Sequence, residues 1–152
     1  MSRYATAMGL VGLVTFACLV FGVGPVQSEE GPVAGSKIHR VVMHLNSGEE
    51  KVQKGTLNNI KNLYEAMGAE RLNVELVAHG AGLSLFTKLD TKLAEELAGL
   101  KASYGVEYTA CSNTMKVQGL TRADLIDQVD RAMPAMVRLM ELQEQGWVYI
   151  KP

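Results

Sequence analysis

Apolar and polar positions alternate in blocks along the chain, and the period changes from block to block. From Ile38 to Leu45 the run IHRVVMHL is short and rich in β-branched residues, which predicts a first strand. From about Glu50 to Met67 the apolar residues Val52, Leu57, Ile60, Leu63, Tyr64 and Met67 recur at helical steps, and Gly68 stops the helix. Ser47-Gly48-Glu49-Glu50 before it has the form of a capping box. Leu72 to His79 predicts a second strand, Gly80-Ala81-Gly82 a turn, and LSLF a short apolar segment. Leu93, Leu97, Leu100 and Tyr104 stripe a helix over Thr91 to Tyr104, with Gly105 as terminator.

Val106 to Cys111 predicts a third strand, and Ser112-Asn113-Thr114 leads into a short helix. Thr121-x-x-Asp124 begins another short turn. A fourth strand is expected over Val129 to Met133, ended by Pro134. Ala135 to Gln145 reads as a helix capped by Gly146, and Trp147 to Ile150 as a last strand. Strands alternating with helices predict an α/β fold: a three-layer α/β/α sandwich with a mostly parallel sheet of about five strands. No repeat or low-complexity tract interrupts it.

The first 28 residues follow a different pattern. Arg3 is the only charge before Glu29, and Met8 to Gly24 is a 17-residue apolar run. Val26-Gln27-Ser28 then places small residues at −3 and −1 of a cleavage site, so residues 1–28 read as a secretory signal peptide and 29–36 as a linker. The rival is an uncleaved membrane anchor, since the run is near the lower limit for a span. Cys18 lies inside the run, but Thr15 stands where a lipoprotein site wants an aliphatic residue. The expected location is the periplasm, with no membrane association once the leader is cut.

Composition changes this picture little. The chain has 152 residues, 47% of them hydrophobic, and a net charge of −1, which suits one globular domain. Losing the leader removes Arg3, so 14 basic side chains face 16 acidic ones and the charge becomes −2. Nothing basic advertises nucleic acid. Neither a full dinucleotide fingerprint nor a P-loop is present, so no nucleotide or other cofactor is expected. The mature chain keeps one cysteine, Cys111, in a compartment that permits disulfides.

Ligands of open α/β sheets bind beyond the carboxyl ends of the strands. Three clusters fall there: His44, Asn46, Ser47 and Gly48 after the first strand; His79, Gly80 and Gly82 after the second; Cys111, Ser112, Asn113 and Thr114 after the third. Neighbouring strands lie ~4.8 Å apart, so these clusters can converge within ~10 Å. A thiol where a strand ends and a helix begins meets exposed N–H groups that favour its anion, and Lys116 is close enough in sequence to add charge. The plain alternative is a packed small residue.

The other candidates divide in the same way. His44 and His79 are proton donors or cations beside Cys111, or satisfied packing residues. His39, early in the strand, is structural or exposed. Asn46 and Ser47 are expected to cap the first helix, and Asn113 and Thr114 the one after Cys111. Gly80 and Gly82 fit a tight turn or a closely approached backbone. Met133, Met136 and Met140 have helical spacing; a copper-binding face is conceivable in an exported protein, but core packing is the expectation. Trp147 and Tyr149 are candidates for subunit contacts and equally for the core.

At Cys111 the run VEYTACSNTMKVQG, with its Cys-x-Asn-Thr core, resembles the DsrE/DsrF-like family of sulfur-relay proteins. The stretches VVMHLNSGEEKVQKGTLNNIKNLYEAMG, VELVAHGAGLSL and ELQEQGWVYIKP resemble its periplasmic-type members, and together these cover most of the chain after Lys37. The resemblance implies a three-layer α/β/α fold and a homotrimer or homohexamer. It implies that Cys111 carries sulfur as a persulfide, with a sulfur donor and an acceptor thiol as partners. The leader departs from the cytoplasmic members and so from their usual carrier proteins. Three other readings stay open: an exported module binding a small ligand, a metal site of Cys111, His44 and His79, and Cys–His hydrolysis.

Overall fold

The computed structural model describes residues 37–152; the leader, Cys18 and the linker lie outside the described residues. Five strands form one parallel sheet: β1 His39–Leu45, β2 Leu72–Ala78, β3 Glu107–Cys111, β4 Arg131–Met133 and β5 Val148–Ile150. Four α-helices connect them: α1 Glu50–Met67, α2 Ala94–Tyr104, α3 Ser112–Gln118 and α4 Ala135–Glu144. The spatial order is β4-β3-β2-β1-β5.

That order places the helices. The chain moves one way from β1 to β4, then returns through α4 to the far side of β1. Parallel crossovers are right-handed, so the return helix must lie on the opposite face from the outward ones. The two cores follow this division. Ile60, Tyr64, Leu76, Leu97, Tyr108 and Met115 belong to one, and Val42, Val77, Cys111, Ala135, Leu139 and Leu142 to the other.

The three-layer parallel fold is therefore as expected, with boundaries moved by one to three residues. The segment after β2 is not a simple turn but a 3-10 helix from Gly80 to Phe86. Gly80 opens it at φ +55, in the left-handed region. Gly82 passes so close to β1 that a Cβ there would lie 2.6 Å from the Leu45 carbonyl oxygen. The fourth strand shrinks to three residues because Asp130 turns aside. Its N–H donates to the Tyr108 carbonyl and its carboxylate accepts from Tyr108 N–H, both at about 2.8–2.9 Å.

Two local expectations fail. The N-cap of α1 is Glu49, with no side-chain cap; Ser47 Oγ instead accepts from Glu49 N–H at 3.2 Å, and Asn46 is exposed. The Ser47 capping box does not form because the helix starts too late for Ser47 to reach its N–H groups. A reciprocal box does form between Thr121 and Asp124. The methionine stripe is also not core. Ala135, Leu139 and Leu142 turn the buried stripe of α4 to the sheet, leaving Met136 and Met140 exposed and Met133 half-buried.

A charge lies under α4. Glu75, in the middle of β2, is fully buried on that face. Arg138 from α4 donates to both its carboxylate oxygens at 2.8 and 2.6 Å, Thr109 Oγ1 donates at 2.6 Å, and Arg131 lies at 3.1 Å. Burial works against the anion, yet these partners hold the carboxyl below its ordinary pKa.

Candidate functional site

Cys111 ends β3 and is 6% exposed. Its sulfur faces the α4 side, where the N–H of Ala135 at the start of α4 joins those of Asn113 and Thr114 at the start of α3. No capping hydrogen bond closes in the resting geometry. Burial pushes the thiol up, but the Thr114 hydroxyl and the N–H groups of Ala135, Thr114 and Asn113 outweigh it and leave the pKa below its ordinary value. Lys116, expected to add charge, is exposed on α3 and is not among these groups.

Thr114 serves two sides. Its Oγ1 accepts the Gly80 N–H at 2.9 Å while its hydroxyl proton faces the sulfur. The loop after β2 is thereby tied to the thiol. Asn113 contributes backbone; its side chain is exposed. Asn46 and Ser47 take no part in the thiol environment. Ser47 instead belongs to the loop before α1, where its carbonyl accepts from Gln53 at 3.3 Å. The ends of β1, β2 and β3 thus come together, His44 against His79 and Gly48 against Ala81, while Asn46 and Ser47 stay apart from the thiol.

His44 and His79 form a second group. Their rings stack with centroids 4.8 Å apart and planes 22° apart. His44 Nδ1 lies 2.6 Å from the Tyr149 hydroxyl on β5. Burial first, then the neighbouring His79 and Lys151, lowers the His44 pKa to about 4, and burial with Lys151 lowers that of His79. His44 is therefore neutral at physiological pH and does not act as the cation that one reading expected. His39 is half-exposed at the start of β1.

Beside this pair an open crevice of about 420 Å³ lies between β5 and α4, lined by His44, Tyr149, Met136, Leu139, Met140 and Gln143 among others. It lies on the α4 face of the sheet, along α4 and beside the reversal of strand order between β1 and β5.

Among the described residues, no three His, Cys, Asp or Glu side chains are grouped to hold a metal ion. His44, His79 and Cys111 therefore do not make the metal site considered from their residue types. Nor does a hydrogen bond join either imidazole to Cys111 among the described residues, as a Cys–His hydrolase needs.

Sequence reasoning missed the parts played by four residues. Ala135 contributes only a backbone N–H, which no residue type reveals. Tyr149, expected at a subunit contact or in the core, pairs its hydroxyl with His44. Glu75 and Arg138 lie 63 positions apart and carry no spacing signal. A lone acidic residue inside the apolar run LNVELVA was the available hint.

A parallel α/β/α domain with one activated thiol at a strand end defines a class of small cysteine-bearing α/β proteins. The chain belongs to the DsrE/DsrF-like family, whose model matches residues 40–152 and which is associated with sulfur relay. It is similar to the structure of a protein of unknown function, MTH1491 from Methanobacterium thermoautotrophicum. That match has 27% identity and a TM-score of 0.70, over 75% of this chain and 99% of the other. The ychN protein from E. coli shares the fold at 14% identity and a TM-score of 0.60, over 76% of this chain and 99% of that one. A chorismate synthase from Campylobacter fetus subsp. fetus (strain 82-40) is 28% identical over 110 residues, 72% of this chain. The chain spans about 31% of that protein's length.

Proposed function

We propose that this protein carries sulfane sulfur on Cys111. The observation that supports the reading is the setting of the sulfur: N–H groups from the starts of two helices and the Thr114 hydroxyl favour the thiolate despite burial. The thiolate attacks the outer sulfur of a polysulfide or a donor persulfide. The Cys111–sulfur bond forms as the donor's S–S bond breaks. The donor sulfur leaves with the electron pair as a thiolate and takes a proton from water. Cys111 is oxidised to the persulfide and the donor is reduced. Apart from Cys18 in the predicted leader, the sequence holds no second cysteine to release the sulfur as a disulfide. An external acceptor thiol therefore completes the relay.

The leader pattern supports work in the periplasm. An exposed apolar patch of Met136, Val137, Met140 and Tyr149 supports association into a homotrimer or homohexamer. The crevice beside His44 and Tyr149 favours a second reading, in which the protein binds a small ligand there and Cys111 is an inert wall.

The test is intact-mass analysis of the protein after exposure to polysulfide, beside Cys111→Ser. A gain of about 32 Da that a reducing thiol reverses, absent in the variant, is the expected result; sulfinic oxidation adds nearly the same mass but does not reverse. No reversible adduct on the folded protein would overturn the carrier reading and favour the ligand-binding one.

A further inference from the structure

Among the described residues two buried nitrogen atoms lack partners, and their rings lie together. His44 Nε2 and His79 Nε2 are both buried with no hydrogen bond there. Such atoms are uncommon in folded proteins, and each asks for a cause. His44 is 8% exposed, so water does not readily supply the missing partner. Turning the ring would not help, because Nδ1 is engaged by the Tyr149 hydroxyl at 2.6 Å. The phenol is the stronger acid and donates, which leaves the imidazole proton on Nε2 as a donor without an acceptor.

The pair stands beside the thiol. Ala78 pairs with Ala110 across β2 and β3, so the next residues, His79 and Cys111, end adjacent strands side by side. Gly80, joined to His79, donates to the same Thr114 hydroxyl that acts on the sulfur. Lys151 lies near enough to act on both rings, adding positive charge to this end of the sheet. An unpartnered imidazole nitrogen and a cation beside a reactive sulfur describe a place for an anion that the resting thiol does not provide.

We infer that the stacked pair His44–His79 is a positioning wall for the outer sulfur of the Cys111 persulfide. This rests on the carrier reading of Cys111. The outer sulfur lies about 2 Å beyond Sγ and bears the negative charge of the persulfide. It accepts from the His79 Nε2–H, which then has the partner it lacks in the resting protein, and His44 holds that ring by stacking. His44 and Tyr149 fix the stack from behind, and His79 is the nearer ring.

The experiment loads the full chain with inorganic polysulfide, removes the excess, and follows loss of the persulfide to a fixed concentration of a small thiol by intact mass. His79→Phe keeps a ring against His44 but has no N–H; His79→Gln keeps a donor. The Phe variant is expected to lose its sulfur about tenfold faster, the Gln variant within about twofold of wild type. Alkylation of unloaded Cys111 by iodoacetamide should stay within about twofold in both, since the helix N–H groups are untouched. Equal retention in wild type and His79→Phe would overturn the inference. Should His79→Phe fail to give a native circular dichroism spectrum, His44→Phe decides by the same measure. If wild type takes up no sulfur at all, the carrier reading itself fails, and the inference falls with it.

Discussion

The two faces of the sheet are built on different terms. The face toward α1 and α2 is an apolar core in which aliphatic and aromatic side chains fill the layer. The face toward α4 holds a buried carboxylate with its arginine, two stacked imidazoles and the thiol. Stability from apolar burial is non-directional and tolerates exchange of one hydrophobe for another. Polar groups under α4 must instead be matched atom by atom. The lesson is a division of labour: one face holds the sheet, and the other, thinner face holds groups whose protonation and partners can serve chemistry.

The sharpest way to break this division is to remove the charge under α4. Glu75→Ala leaves Arg138 with only the more distant Glu141 and Arg131 with Glu107 alone, and should cost about 3–5 kcal/mol in denaturant unfolding. A loss below ~1 kcal/mol would mean that the α4 face is as forgiving as the apolar one. Acid should act in the same direction. The Glu75 carboxyl is held below its unfolded value, so its contribution is present above about pH 4.3 and is lost as pH falls through the folded pKa.

A smaller effect separates the imidazoles from the carboxylate. The His44 pKa is lowered to about 4 in the folded protein, against about 6.5 unfolded. Between those values the unfolded chain binds more protons, so stability should fall as pH drops from 6.5 towards 4. The urea midpoint followed across this window, beside His44→Phe, measures it. An equal slope in the variant would show that His44 is not the group responsible.

The smallest change concerns reactivity alone. Thr114→Val deletes the hydroxyl that favours the Cys111 thiolate and accepts from Gly80. The midpoint of the alkylation pH profile should move up, with a stability loss of about 1 kcal/mol. An unmoved midpoint would show that the helix N–H groups suffice without it.

Much of this was legible in the chain. The periods of VVMHL, LNVELVA and YTAC mark strands, and the stripe from Leu57 to Tyr64 marks a helix, because local backbone geometry repeats with a fixed period. The place of Cys111 between a strand and a helix follows from the same reading. Capping was less legible: Ser47 and Glu50 have the right letters, yet the reciprocal box belongs to Thr121 and Asp124. Which serine or threonine caps depends on where the backbone enters the helix, and that entry is set by packing.

The sequence by itself determined the order of elements, the parallel sheet and the strand-end position of the thiol, since these depend on local period and chain connectivity. Tertiary structure alone decided that Ala135 would face Cys111, that Tyr149 would hold His44, and that Arg138 rather than a methionine would turn under α4. Each of those joins residues far apart in the chain, and their meeting depends on the return of α4 across the sheet. No local pattern carries that information, because the rotation of one helix about its axis is fixed only by what it packs against.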